Sequence, residues 1–221
     1  MSVRISTSTI IDGSMKSPDR NYATILPIRA AFLQKNAIDP IDTTLVQVTY
    51  ETDDFCRFQT LTSHDKGDGI VQDATIAADA LVVTEPGHAL LLPLADCIGA
   101  VIHDPTKNVL MVSHLGRHNL EQFGGTKCID YLVENHAVNP KNLTVWLSPA
   151  AGKNSYPLYS FDNRSLHDVA TEQLVSAGIV NENITMSPID SAADPNYFSH
   201  SQFLQNNRDS DGRFAVVAVL N

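Results

Sequence analysis

Between residues 80 and 113 the chain passes through four apolar stretches, "ALVVT", "ALLLPLA", "GAVIH" and "NVLMVS", parted only by short polar breaks. Runs this short and this close together read as strands. The polar "DPTKN" between the last two has turn chemistry. Further strands are expected at "VRISTSTII", "TTLVQVTY", "CRFQTLT", "LTVWLS", "NITMSPI" and "RFAVVAVL". Helical spacing appears in "NYATILPIRAAFLQKNA", where Pro27 predicts a helix start near itself. It recurs in "TKCIDYLVENHA", with Ile129, Leu132 and Val133 inward, and in "RSLHDVATEQLVSAG", with Leu166, Val169, Ala170 and Leu174 inward and Gly178 as cap. "DPNYFSHSQFLQNN" is a last helical segment. Strands grouped in sequence with helices between the groups predict an α+β fold: one layered domain over residues 1–221, with a mixed β-sheet and flanking helices.

Charge narrows the partners. Fifteen basic against 25 acidic residues leave a net charge of −10. No basic face is available for nucleic acid or anionic lipid, although one local positive pocket for a small anion is still compatible with it. No apolar run approaches membrane-spanning length, and the three cysteines have no metal-finger spacing. Reduced thiols and a cytoplasmic location are expected. Nothing in the chain predicts an oligomeric state.

Chemistry concentrates in "LPLADCIGAVIHDPTKNVLMVSHLGRH", where Cys97 and His114 stand at the far ends of two strands joined by a tight turn. Hairpin pairing brings such ends together. A thiolate and an imidazole can share a zinc ion with a further ligand and a water. Alternatively, the imidazole can deprotonate the thiol for nucleophilic attack. The plain structural alternative is a small buried cysteine beside a polar strand end. No GxGxxG, Walker, GxSxG or HExxH pattern competes with the pair.

The wording around the pair resembles the laccase-domain family, also called multicopper polyphenol oxidases and including peptidoglycan editing factors. Ala78-Asp79-Ala80-Leu81, Pro86-Gly87, Ala95-Asp96-Cys97, Asp104-Pro105 and His114-Leu115-Gly116 follow the family's order and spacing. Trp146, Pro149 and Gly152, then Phe198, Ser199, Gly212 and Arg213, match two later segments. The resemblance implies a single domain of that type and a His, Cys, His zinc site, with copper as second choice. It also implies purine nucleosides as small-molecule substrates, by phosphorolysis, adenosine deamination or both.

On that resemblance Cys97 and His114 are metal ligands and catalytic residues. A literal alignment puts Thr49 where the family's Q-V-H-G segment has its histidine, so His64 in "LTSHDKG" is expected to complete the site, the Gly67 and Gly69 loop folding back over the hairpin. "HLGRHN" replaces the family's H-A-G-W-R-G, so Arg117 and His118 take the phosphate-binding role, Arg117 being catalytic as well. Asn154 and Arg213 are expected to bind substrate or phosphate. Two alternatives keep the same residues: a metal-free Cys–His hydrolase or amidase acting on a cell-wall precursor, and a member that binds ligand without turnover. His88, His103, Lys153 and Ser155 rate as lesser candidates, and Cys128 as core.

Overall fold

The computed structural model describes residues 2–16 and 22–221. In chain order the elements are β1 (Val3–Thr7), α1 (Tyr22–Lys35), β2 (Thr43–Leu45), β3 (Phe58–Thr60), β4 (Ala80–Val83), β5 (Ala89–Leu94), β6 (Ile98–Asp104) and β7 (Val109–Leu115). There follow α2 (Arg117–Glu121), α3 (Gly124–His136), β8 (Thr144–Leu147), α4 (Leu166–Ser176), β9 (Ile184–Met186), α5 (His200–Leu204) and β10 (Phe214–Leu220). They form two mixed sheets, of order β1-β10-β5-β2 and β3-β4-β7-β6-β8-β9.

The sheets pack face to face. Leu81, Val101, Leu110 and Val112 of the larger meet Leu90, Leu92, Phe214 and Val216 of the smaller. The alternate residues Leu91, Ala215 and Val217 point the other way, onto Phe32 and Leu33 of α1. Ile102 and Met111 likewise turn outward onto α3 and α4. The result is a four-layer helix–sheet–sheet–helix stack. Every residue of β4, β6, β7 and β10 is buried. This explains the uninterrupted apolar runs, since a strand covered on both faces has no reason to alternate. It also explains why one mixed sheet was expected where two exist.

Local signals hold with three corrections. Helix α1 runs through Pro27 rather than starting at it. The proline removes one N–H from the ladder, and burial of Ile25, Phe32 and Leu33 holds the helix regardless. The Asn21 end of that segment lies outside the described residues. In α3, Cys128, Ile129 and Leu132 make the buried stripe, and Val133, one position round, is 39% exposed. The last helical segment forms only α5, one short turn. Gly178 sits just beyond α4 at φ 97°, the left-handed conformation expected of it. No helix among the described residues is long and apolar enough to cross a membrane.

Candidate functional site

Pairing of β6 with β7 matches Gly99 to His114 and Ile98 to Leu115. One step further along the same register, Cys97 stands opposite Gly116. A Cβ built on Gly116 would lie 2.8 Å from Cys97 Sγ and 3.0 Å from His114 Nε2. Thiol and imidazole therefore converge on a point that only glycine leaves open. The Asp-Pro turn that sets this register is tied by the Asp104 carboxylate, which accepts from Thr106 and Lys107. The turn is remote from the pair, and its chemistry serves the pairing.

The pair forms part of the wall of a cavity of about 580 Å³ at one end of the sheets. Burial pushes the Cys97 thiol up to about 12, with the Asp96 carboxylate adding to it. Burial pushes His114 down to about 4, against the pull of Asp79. At neutral pH both are uncharged. Asp96, the residue before Cys97, adopts φ 74°. Its carboxylate accepts from Ser199 Oγ and the Ser201 N–H, 2.5 and 2.6 Å away. That contact docks the start of α5 beside the pair.

Arg117, His118 and Arg213 line the same cavity. His118 stacks on Phe55, ring centroids 4.8 Å apart at 22°, and Arg117 Nη2 donates to its Nε2 at 3.2 Å. Asp211 Oδ1 accepts from Arg213 Nη1 at 2.6 Å and pairs with His200 Nδ1 at 2.8 Å. His200, Tyr50, Phe55 and Tyr156 are cavity residues with no part in the expected site. Tyr50 and Phe55 flank the acidic corner, Tyr156 lies on a polar turn, and none of the three carries a motif. His200 falls within "FSHSQ", where only Phe198 and Ser199 match the family resemblance.

The structure does not bring His64 to the pair. It is exposed on the short turn Ser63–Asp65. Gly67 and Gly69 do take positive φ, 85° and 72°. They carry the loop onto β2 instead: Gly67 N–H donates to Thr43 O and Asp68 O accepts from Leu45 N–H. Thr49 is the residue at the cavity wall. Its hydroxyl accepts from Arg57 Nη1 at 2.8 Å. Arg57 in turn grips both oxygens of the buried Asp79 carboxylate at 2.8 and 3.1 Å. Asn154 is exposed on a turn outside the cavity, and Tyr156, two residues on, takes the wall position. His88 is buried against Thr44, and His103 stands at the turn end of β6, remote from Cys97.

A catalytic zinc takes three protein ligands and a water. Among the described residues no three His, Cys, Asp or Glu side chains come together as such a set. Cys97 and His114 supply two donors. The hydroxyl in the third position already holds a cation's hydrogen bond. The residues do not fit a three-ligand zinc, nor a copper centre of several ions.

Comparison with known proteins bears on the fold and family. The chain is 24% identical over 173 residues, 65% of its own length, to a protein named purine nucleoside phosphorylase YlmD from Bacillus subtilis, and the match spans only 61% of that relative. Two solved structures share the architecture across 99% of the chain. A hypothetical protein YfiH from Bacillus licheniformis has TM-score 0.85 at 20% identity and is covered over 93% of its length. YlmD from Geobacillus stearothermophilus has TM-score 0.81 at 19% identity and 91% coverage. The model of the multi-copper polyphenol oxidoreductase laccase family matches residues 42–163, more than half of the chain and the whole stretch from β2 through the Cys97–His114 hairpin. The chain belongs to that family.

Proposed function

We propose that the cavity binds a purine nucleoside together with phosphate and catalyses phosphorolysis. One observation carries this reading: a chain of net charge −10 gathers Arg117 and Arg213 around a cavity that also presents Tyr50, Phe55 and Tyr156 among aliphatic walls, and whose Cys97–His114 corner is uncharged. Guanidinium groups suit phosphate oxygens, and Phe55 and Tyr156 offer apolar faces to a base. The volume falls within the ~300–1,000 Å³ of small-molecule pockets. The name of the Bacillus subtilis relative agrees with it.

Phosphorolysis suits this site better than deamination for a chemical reason. Deamination needs water made nucleophilic, and the base at hand, His114 held down at about 4, is a weak one. Phosphate arrives already anionic. Its oxygen bonds to the ribose anomeric carbon as the bond to the purine nitrogen breaks. The electron pair leaves with the purine, which takes a proton from the His200 imidazole at the cavity wall. Thr49, His114 and Cys97 hold the nucleoside by neutral hydrogen bonds. A metal-free thiol nucleophile is disfavoured, because a thiol held near 12 is not a thiolate at neutral pH.

Incubation of the purified protein with inosine or adenosine, with and without phosphate, tests this. Free base and ribose 1-phosphate, formed only when phosphate is present, are expected by chromatography. Binding without product assigns the chain a ligand-binding role instead, and ammonia release from adenosine assigns deamination.

A further inference from the structure

The cavity corner where the family resemblance asks for a third metal ligand is occupied by a different device. Thr49 Oγ1 accepts from Arg57 Nη1, and Thr49 O accepts from Arg57 Nη2 at 3.2 Å. Arg57 is fixed in its turn by both oxygens of Asp79, which is wholly buried, and its own backbone N–H donates to the same carboxylate. The backbone carbonyl of Asp79 accepts from the His114 N–H at 2.8 Å. Thr49 and His114 are therefore tied to one another through two intervening residues.

The consequence is a fixed orientation. A hydroxyl has one proton to donate and two lone pairs. Arg57 uses a lone pair, so the proton of Thr49 is left to point elsewhere. A metal ion at this corner would compete for the same oxygen with a guanidinium already donating to it, and would sit beside that positive charge.

We infer that Thr49, locked by Arg57 and Asp79, is a hydrogen-bond donor to a ligand oxygen, and that the Cys97–His114 centre beside it works with no resident metal. The ligand class is a neutral or anionic oxygen acceptor: a base carbonyl, a ribose hydroxyl or a phosphate oxygen. The donor role rests on the nucleoside reading. The metal statement does not.

Two measurements separate them. Metal content is counted on protein purified without added metal, wild type beside Cys97→Ala. Both are expected to carry far less than the roughly one zinc per chain that a zinc site would hold. A stoichiometric zinc lost on Cys97→Ala overturns the metal statement. Inosine and phosphate are then titrated calorimetrically with a chelator present. Wild type is expected to bind as it does without chelator. Thr49→Val, which keeps the shape and deletes the hydroxyl, is expected to weaken one of the two ligands roughly fivefold to tenfold. Thr49→Ser restores it, with the unfolding midpoint of each variant showing that the fold persists. Unchanged affinities in Thr49→Val overturn the donor role. If wild type binds neither ligand with or without metal, the nucleoside reading and the donor role fall together, and the metal count still stands.

Discussion

Ser199 and Asp96, 103 residues apart in the chain, are joined by a hydrogen bond of 2.5 Å from hydroxyl to buried carboxylate. The bond fastens the N-terminal end of α5 to the left-handed residue that precedes Cys97. The Ser201 N–H shares the same carboxylate at 2.6 Å. Asp96→Ala removes the shared acceptor of both donors and puts alanine at φ 74°. A loss of about 2–4 kcal/mol is expected in urea unfolding. Asp96→Asn keeps an acceptor and tolerates that backbone, so it should lose less. Equal losses would mean that backbone strain plays no part.

The Arg57–Asp79 pair should show the asymmetry of buried ion pairs. Arg57→Met leaves a buried carboxylate uncompensated, at a cost of about 3–5 kcal/mol. Replacing both, as Arg57→Met with Asp79→Leu, should recover part of that loss. Denaturant midpoints of the three proteins decide it. A double variant no better than Arg57→Met alone would show that the hydrogen bond from the Arg57 backbone N–H to the Asp79 carboxylate outweighs the charge.

How much of this was legible in the sequence depends on how far apart the partners lie. The Cys97–His114 pair was readable, because a hairpin with Asp-Pro chemistry converts sequence spacing directly into proximity. Leu166, Val169, Ala170 and Leu174 were readable for a similar local reason. The third corner was not. His64 had the right residue type but belongs to a loop whose backbone hydrogen bonds run to β2. Thr49 had the right place but the wrong chemistry for a metal. Nothing in the sequence shows that Arg57 would reach it across eight residues. His200 and Asp211 face each other only because the chain between them loops back. The division into two sheets left no trace in strands buried on both faces.

Acid should weaken the fold over a defined window. The Thr44 hydroxyl gives its proton to Asp65 O, so His88 Nε2 must donate to it. That requires a particular tautomer but no charge, and burial holds His88 down at about 4. His114 is held at about 4 by the same cause. Unfolded, each would titrate near the ordinary histidine value of 6.5. Between those values the unfolded chain binds protons that the folded chain does not. Stability is therefore full above 6.5 and falls as pH drops towards 4. His88→Gln should flatten that slope in urea midpoints measured at stepped pH. An unchanged slope would place the acid sensitivity elsewhere.

The two cavity arginines should differ in how they serve phosphate. Arg213 is anchored: its Nη1 donates to the Asp211 carboxylate and to the Asp211 and Gly212 carbonyls. Those three bonds use one nitrogen, so Nε and Nη2 keep their orientation for an incoming anion. Burial raises the Asp211 carboxyl, but the hydrogen bonds from Arg213 and His200 outweigh it and hold the group below its ordinary range. The anchor therefore stays charged at neutral pH. Arg117 is exposed, and among the described residues its side chain is steadied by His118 alone. A group ordered beforehand loses less entropy on binding than one that must be immobilised. Arg213→Gln should raise the phosphate KM roughly tenfold, the loss of a charge-assisted hydrogen bond. Arg117→Gln should raise it less, and its effect should shrink as salt screens the exposed charge. Initial rates against phosphate concentration at low and high ionic strength would measure both. An Arg117 effect equal to that of Arg213 and insensitive to salt would show that phosphate sits against α2 as much as against Arg213, and that the anchoring of Arg213 confers no advantage.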